Sequence, residues 1–236
     1  SQNTSLTALN CSDNLLTILD VSSNTTLTVL HCWYNNLTIL NVSQNTSLTA
    51  LYCSDNLLTS LDVSNNTALD TLDCSWNELD SLDVSSNLDL TYLGCVVNEL
   101  DSLDVSSNLN LTNLNCRNNN LTSLNVSNNA ALKVLLCEDN QLTSLDVRNN
   151  NNTIIYAFRS TNNPNLPCIL VDDPVYSTAN WTEIDPWTYF EVQCWLTPPT
   201  WECDGQGICY DPGTGVGTYT SLSACALACV TPPNDN

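Results

Sequence analysis

One twenty-one-residue phrase recurs seven times without insertion, beginning at Leu6, Leu27, Leu48, Leu69, Leu90, Leu111 and Leu132. Every copy fits L-x-x-L-x-C-x-x-N-x-L-x-x-L-[DN]-V-x-x-N-x-x. A fixed period of this length, with apolar residues at constant offsets, specifies a solenoid in which each turn borrows its core from its neighbours. The cysteine column is Cys11, Cys32, Cys53, Cys74, Cys95, Cys116 and Cys137. One asparagine column is Asn14, Asn35, Asn56, Asn77, Asn98, Asn119 and Asn140, and a second is Asn24, Asn45, Asn66, Asn87, Asn108, Asn129 and Asn150.

Each turn is nearly two copies of L-x-x-L-x-[C/V]-x-x-N, as in "LTALNCSDN" and "LTILDVSSN". Alternation about the second leucine of each half sends Leu and Cys, or Leu and Val, inward and their neighbours outward, which is the period of a strand. The expected architecture is therefore mainly β, with two short parallel strands per turn and a sheet on each broad side. The inward set of the first turn is Leu6, Leu9, Cys11, Leu16, Leu19 and Val21. Six side chains bury too little to order a lone turn, so stacking carries the stability. The asparagines follow each strand where the backbone bends, and their amides are suited to serving the carbonyl and N–H groups left open there.

This phrase resembles the leucine-rich repeat family, in particular its nested bacterial subclass, in which a second L-x-x-L-D-[LV] arc replaces the helical side. The resemblance covers residues 1–152 and implies a non-enzymatic, extracellular solenoid used to bind or adhere.

Beyond Asn152 the phrase fades. The segment 153–196 carries Pro164, Pro167, Pro174, Pro186, Trp181, Trp187 and Phe190; it is predicted to cap the open edge of the last turn. "NPNLPCILVDD" and "YSTANWTEID" are similar to the C-terminal cap of secreted bacterial leucine-rich repeat proteins. "TPPT" is predicted as a stiff linker into a module, residues 197–236, that holds Cys203, Cys209, Cys225 and Cys229 and five of the six glycines. Such a module is too small for a core of its own, so disulfides must hold it. It resembles small Gly- and Cys-rich repeats of secreted surface proteins. The seven ladder cysteines are expected to be free, buried thiols, and the other six to form three bridges, Cys168–Cys194 among them.

Thirteen cysteines in a chain of net charge −21 indicate the oxidising cell exterior. That charge, four basic residues against twenty-five acidic ones, repels phosphate backbones and anionic lipid, so nucleic-acid partners are not expected. No apolar run reaches the ~20 residues of a membrane span. Nor is catalysis expected: His31 is the only histidine, no nucleophile-elbow phrase surrounds any serine, and no short-spaced Cys/His cluster suggests zinc. Carboxylate pairs such as Asp70 and Asp73 belong to repeat columns on an open sheet. No cofactor is expected; the Asp62, Asp83, Asp104 column is a weak calcium candidate, since like charges one strand spacing apart call for screening.

The two broad sides differ. Outward positions on the valine side are monotonous Ser and Asp. On the cysteine side they include His31, Trp33, Tyr52 and Tyr92, with Tyr34 and Trp76 just beyond, and exposed aromatics among polar groups suit a glycan or protein contact. "DTL" and "DSL" resemble an O-glycan acceptor pattern of secreting bacteria, nominating Thr71, Ser81 and Ser102.

The chain starts within its own repeat and contains no methionine, so its N-terminus is expected to arise by processing or to be that of a piece of a longer solenoid. Leu6, Leu9, Cys11, Leu16 and Leu19 then form a bare end. The leading expectation is an extracellular structural subunit that polymerises head-to-tail through this end, a contact that generates a fibre. The alternative is an adhesin or recognition module working through the aromatic side.

Overall fold

The computed structural model describes residues 3–194, 202–203, 209–210 and 218. The chain forms two units, residues 1–192 and 193–236. In the first, the repeat winds as a solenoid whose cysteine side is one continuous parallel sheet of eight strands: Ala8–Asn10, Val29–His31, Ala50–Tyr52, Thr71–Asp73, Tyr92–Gly94, Asn113–Asn115, Val134–Leu136 and Ala157–Arg159. Register is uniform. Leu9, Leu30, Leu51, Leu72, Leu93, Leu114, Leu135 and Phe158 stand opposite one another along the ladder, as a constant repeat length demands.

The valine side departs from the expectation of a second sheet through every turn. Regular strands occur there only at Ser123–Asn125, Ser144–Asp146, Cys168–Leu170 and Tyr189–Glu191; among the described residues, earlier turns contribute one isolated bridge, Asp20 to Asn41. The asparagine corners explain why a second ladder is dispensable. Asn45 Nδ2 reaches back one turn to the carbonyls of Val21 (3.0 Å) and Asn24 (2.8 Å), and Asn66, Asn87, Asn108 and Asn129 repeat the pattern. Turns are thus already tied at that corner, and solvent can serve the outward backbone groups.

The core is one continuous stack of Leu, Cys and Val. From Leu27 to Val147 the repeat leucines and valines are at most 8% exposed. Cys32, Cys53, Cys74, Cys95, Cys116 and Cys137 are buried free thiols, and Cys11 in the first turn is partly buried. Parallel Cβ vectors in register are poorly placed for the near-perpendicular dihedral of a disulfide, so the ladder packs as small apolar groups.

Two details at the C-terminal end correct the repeat reading. In the seventh turn Asn150 is exposed and left-handed (φ 62°), and Asn149 takes the corner, donating to the Asn129 carbonyl at 3.1 Å. The run "RNNNN" supplies extra residues here, and Asn152 fills the remaining place by donating to the Val147 carbonyl at 2.7 Å. The winding also continues past residue 152. Ile155, Phe158, Ser160 and Asn163 occupy the Leu, Leu, Cys and Asn places of a degenerate turn: Asn163 Oδ1 accepts from Leu142 N–H (3.0 Å) and its amide donates to the Cys137 and Ser160 carbonyls.

Trp181 closes the stack. It is buried, lies against Phe158 with ring centroids 4.3 Å apart, meets Phe190 edge-on, and donates its indole N–H to the Ile155 carbonyl. The helix Pro174–Asn180 that delivers it starts on Asp173, whose carboxylate accepts the N–H groups of Val175 and Tyr176, with Pro174 in the first turn. Cys168 and Cys194 are both disulfide-bonded, in keeping with the expected bridge. In the second unit Glu202–Cys203 pairs antiparallel with Cys209–Tyr210, and Cys203 and Cys209 are likewise disulfide-bonded. Cys225, Cys229 and the linker lie outside the described residues.

Candidate recognition surface

The structure divides the six aromatic-side residues into two groups. His31 and Tyr52 sit on adjacent strands of the continuous sheet and stack face to face, 4.5 Å between centroids and 6° between planes. Tyr92 is half-buried on the same sheet. Its ring lies over Gly94, where a Cβ would come within 3.2 Å of the Tyr92 ring and hydroxyl and 3.0 Å of the Asp73 carboxylate. Glycine therefore clears the ground Tyr92 covers. Burial, then the neighbouring Asp73, pushes the Tyr92 phenol above its ordinary value. Trp33 is exposed beside this group.

Tyr34 and Trp76 belong elsewhere, on the corner that follows each cysteine-side strand. The residue two places after each ladder cysteine has a left-handed backbone: Asp13, Tyr34, Asp55, Trp76, Val97, Asn118 and Asp139, with φ between 52° and 55°. Asp and Asn tolerate this region because their short side chains bond locally, whereas for other L-residues it costs roughly 1–2 kcal/mol. Four of the seven positions hold the tolerant residues. Tyr34, Trp76 and Val97 do not, and Val97 is β-branched as well. These three line one groove of about 510 Å³ together with Leu15, Asp55 and Glu78. Trp76 and Tyr34 are 56% and 59% exposed, so neither repays its strain by burial in the core. The positions of strain and the walls of the groove coincide.

Beneath the groove the first asparagine column is fully engaged. Asn77 Nδ2 donates to the carbonyls of Cys53, Cys74 and Ser75 at 3.1, 3.0 and 3.2 Å, and its Oδ1 accepts from Leu58 N–H at 3.0 Å. These bonds tie two successive turns together beneath the aromatic walls. The Asp55 carboxyl is raised above its ordinary value by partial burial and then by Asp73.

Each remaining sequence candidate has a definite place. Asp62, Asp83 and Asp104 each accept the N–H of the serine two residues on, at 2.9, 2.8 and 2.8 Å. Hydrogen bonds from Ser64, Ser85 and Ser106 hold the three carboxyls below their ordinary value, an effect larger than the repulsion between neighbours. The column is therefore a series of turn caps, and the described residues include no cluster of three or more metal-binding side chains. Thr71 and Ser81 donate to the adjacent Asp70 and Asp80 carboxylates, and Ser102 is exposed in a smaller valine-side groove with Asp104 and Ser123. At the first turn Leu6, Leu9, Cys11, Leu16 and Leu19 are only partly buried; Leu15, Ile18 and Ile39 nearby are 87%, 81% and 75% exposed.

Solved structures share this architecture. A leucine-rich effector protein from Yersinia pestis, YopM, matches at TM-score 0.63 and 22% identity over 79% of this chain and 56% of its own. A leucine-rich repeat protein from Leptospira interrogans matches at 0.60 and 21% over 81% and 57%. The fold is a leucine-rich repeat solenoid. An internalin C2 from Listeria monocytogenes matches at 0.57 and 20% over 78% and 80%. The chain thus spans a little over half the length of the first two. No family model matches the sequence, and no curated protein matches it. The helices among the described residues include none long and apolar enough to cross a membrane.

Proposed function

We propose that this leucine-rich repeat protein is a non-enzymatic recognition module of the cell exterior that binds a protein partner through its aromatic side. One observation carries the reading: Tyr34, Trp76 and Val97 stand in strained left-handed positions and line a single groove. Exposed Tyr and Trp are the side chains most often responsible for binding energy at protein contacts. The disulfides of Cys168, Cys194, Cys203 and Cys209 support an oxidising compartment. The test is an array of purified extracellular proteins and glycans probed with the intact chain and with a Tyr52→Ala/Trp76→Ala variant. Protein hits that weaken at least tenfold in the variant are expected. Hits indifferent to both substitutions, or confined to glycans, overturn the reading.

Head-to-tail assembly is the second reading, favoured by the exposed Leu15, Ile18 and Ile39 beside the partly buried first-turn leucines. It expects a sedimentation coefficient that rises with concentration and an Ile18→Asp/Ile39→Asp variant that stays monomeric. A chain that is monomeric up to millimolar concentration removes it.

A further inference from the structure

We propose that the groove between Tyr34 and Trp76 is a guanidinium site, which receives an arginine side chain of the protein partner. The inference rests on the recognition reading and specifies the chemistry of its central contact. Tyr34, Asp55 and Trp76 occupy the same corner of three successive turns. At the ~4.8 Å spacing of paired strands, the two aromatic residues stand about 10 Å apart with the Asp55 backbone between them. A planar group held in van der Waals contact between two rings needs about 7 Å, so the rings can close on it by leaning inward. Asp55, between the two aromatic residues, and Glu78, two residues beyond Trp76, both line the slot.

The charges select the occupant. Arg148 pairs with Asp146 and Arg159 with Glu138, and among the described residues no basic side chain pairs with Asp55 or Glu78. None of the chain's four basic residues lines the groove. A net charge of −21 also draws a basic partner from a distance. A cation between aromatic faces with carboxylates at its edge satisfies both the rings and the charges. Arginine fits better than lysine because its flat guanidinium stacks on the rings while its edge N–H groups reach the carboxylates. The strained backbone points the same way, since Asn or Asp would serve the turn at less cost at Tyr34 and Trp76 but would leave no walls.

The test uses the full chain and three blocked pentapeptides, Gly-Xaa-Gly-Xaa-Gly with arginine, lysine or citrulline at Xaa, followed through the Trp76 indole resonance. That resonance is assigned by its loss in Trp76→Asn. The arginine peptide is expected to shift it saturably. The lysine peptide should bind several-fold and the citrulline peptide at least tenfold more weakly. Asp55→Asn/Glu78→Gln should lower arginine affinity about tenfold and flatten its salt dependence. Tyr34→Asn/Trp76→Asn should abolish binding while the chain stays folded, because asparagine suits these backbone positions. Equal binding of the citrulline peptide, indifference to the carboxylate substitutions, no binding at all, or a neutral oligosaccharide shifting Trp76 instead would each overturn the assignment. If it fails while Tyr52→Ala/Trp76→Ala still removes array hits, recognition stands with a different central contact; if the array hits are indifferent as well, both fall.

Discussion

Raising the pH from 9 to 10.5 should unfold this protein cooperatively, although it contains only one lysine to deprotonate. The cause is the cysteine ladder. Burial pushes the thiols of Cys32 and Cys116 up to about 12, and those of Cys53, Cys74, Cys95 and Cys137 well above their ordinary value. In the unfolded chain the same thiols lose their protons near pH 9. Between these limits the folded state holds more protons than the unfolded one, so stability falls as pH rises; below pH 9 the difference vanishes. One pKa unit corresponds to about 1.4 kcal/mol per group. Six thiols together remove roughly 8 kcal/mol by pH 10, the order of a typical domain's whole stability. Circular dichroism against pH checks this. A Cys53→Ala/Cys74→Ala/Cys95→Ala variant, though somewhat less stable at neutral pH from the cavities, should lose stability about half as steeply. An unchanged slope would show that the ladder is not the cause.

The ladder itself was legible in the sequence, because a column without a gap over seven turns leaves only one direction for its side chains. The same holds for the asparagines: a residue that always follows a strand and always carries an amide must serve the bend. What the periodicity could not show is how much backbone pairing each side needs. Leu-x-Val has the pattern of a strand in every turn, yet the corner amides make most of that second ladder unnecessary. Continuation past Asn152 was present in "IYAFRSTNN" but disguised, because Phe158 and Ser160 replace the leucine and cysteine by which the phrase is recognised. The aromatic site was half legible. Composition picked out Tyr34 and Trp76 as outward residues, but they were grouped with His31 and Tyr52 by proximity to the same strands. The dividing signal lay in their own column: Asp, Asp, Asn and Asp at the equivalent places mark a left-handed turn, and the three exceptions, Val97 among them, share one groove.

Replacing Asn77 by alanine should destabilise the protein far more than replacing Asn87, although both are buried mid-solenoid asparagines. Asn77 engages both ends of its amide. Its two Nδ2 hydrogens are shared among three carbonyls, and Oδ1 accepts from the N–H of the fully buried Leu58. Asn87 Nδ2 donates to Val63 and Asn66 at 3.1 and 2.9 Å, but its Oδ1 is buried with no partner in the structure, as in Asn45, Asn66, Asn108 and Asn129. Each buried backbone group left without a partner costs about 1–3 kcal/mol. Asn77→Ala leaves the buried Leu58 N–H without a partner, while the Cys53 and Cys74 carbonyls each lose one donor but keep the Asn56 and Asn98 amides, for a loss of about 3 kcal/mol. Asn87→Ala leaves no backbone group without a partner, because the Val63 and Asn66 carbonyls still accept from the N–H groups of Asn66 and Leu69, and it removes an unsatisfied acceptor, so the net loss should be about 1 kcal/mol. Urea midpoints of the two variants decide the matter, and equal losses would mean that the second column's Oδ1 atoms are solvated after all. The larger loss at Asn77 follows from geometry. Its amide joins one turn's carbonyl to another turn's N–H under the aromatic corner, so that single side chain fixes both the spacing of the turns and the floor on which Trp76 stands.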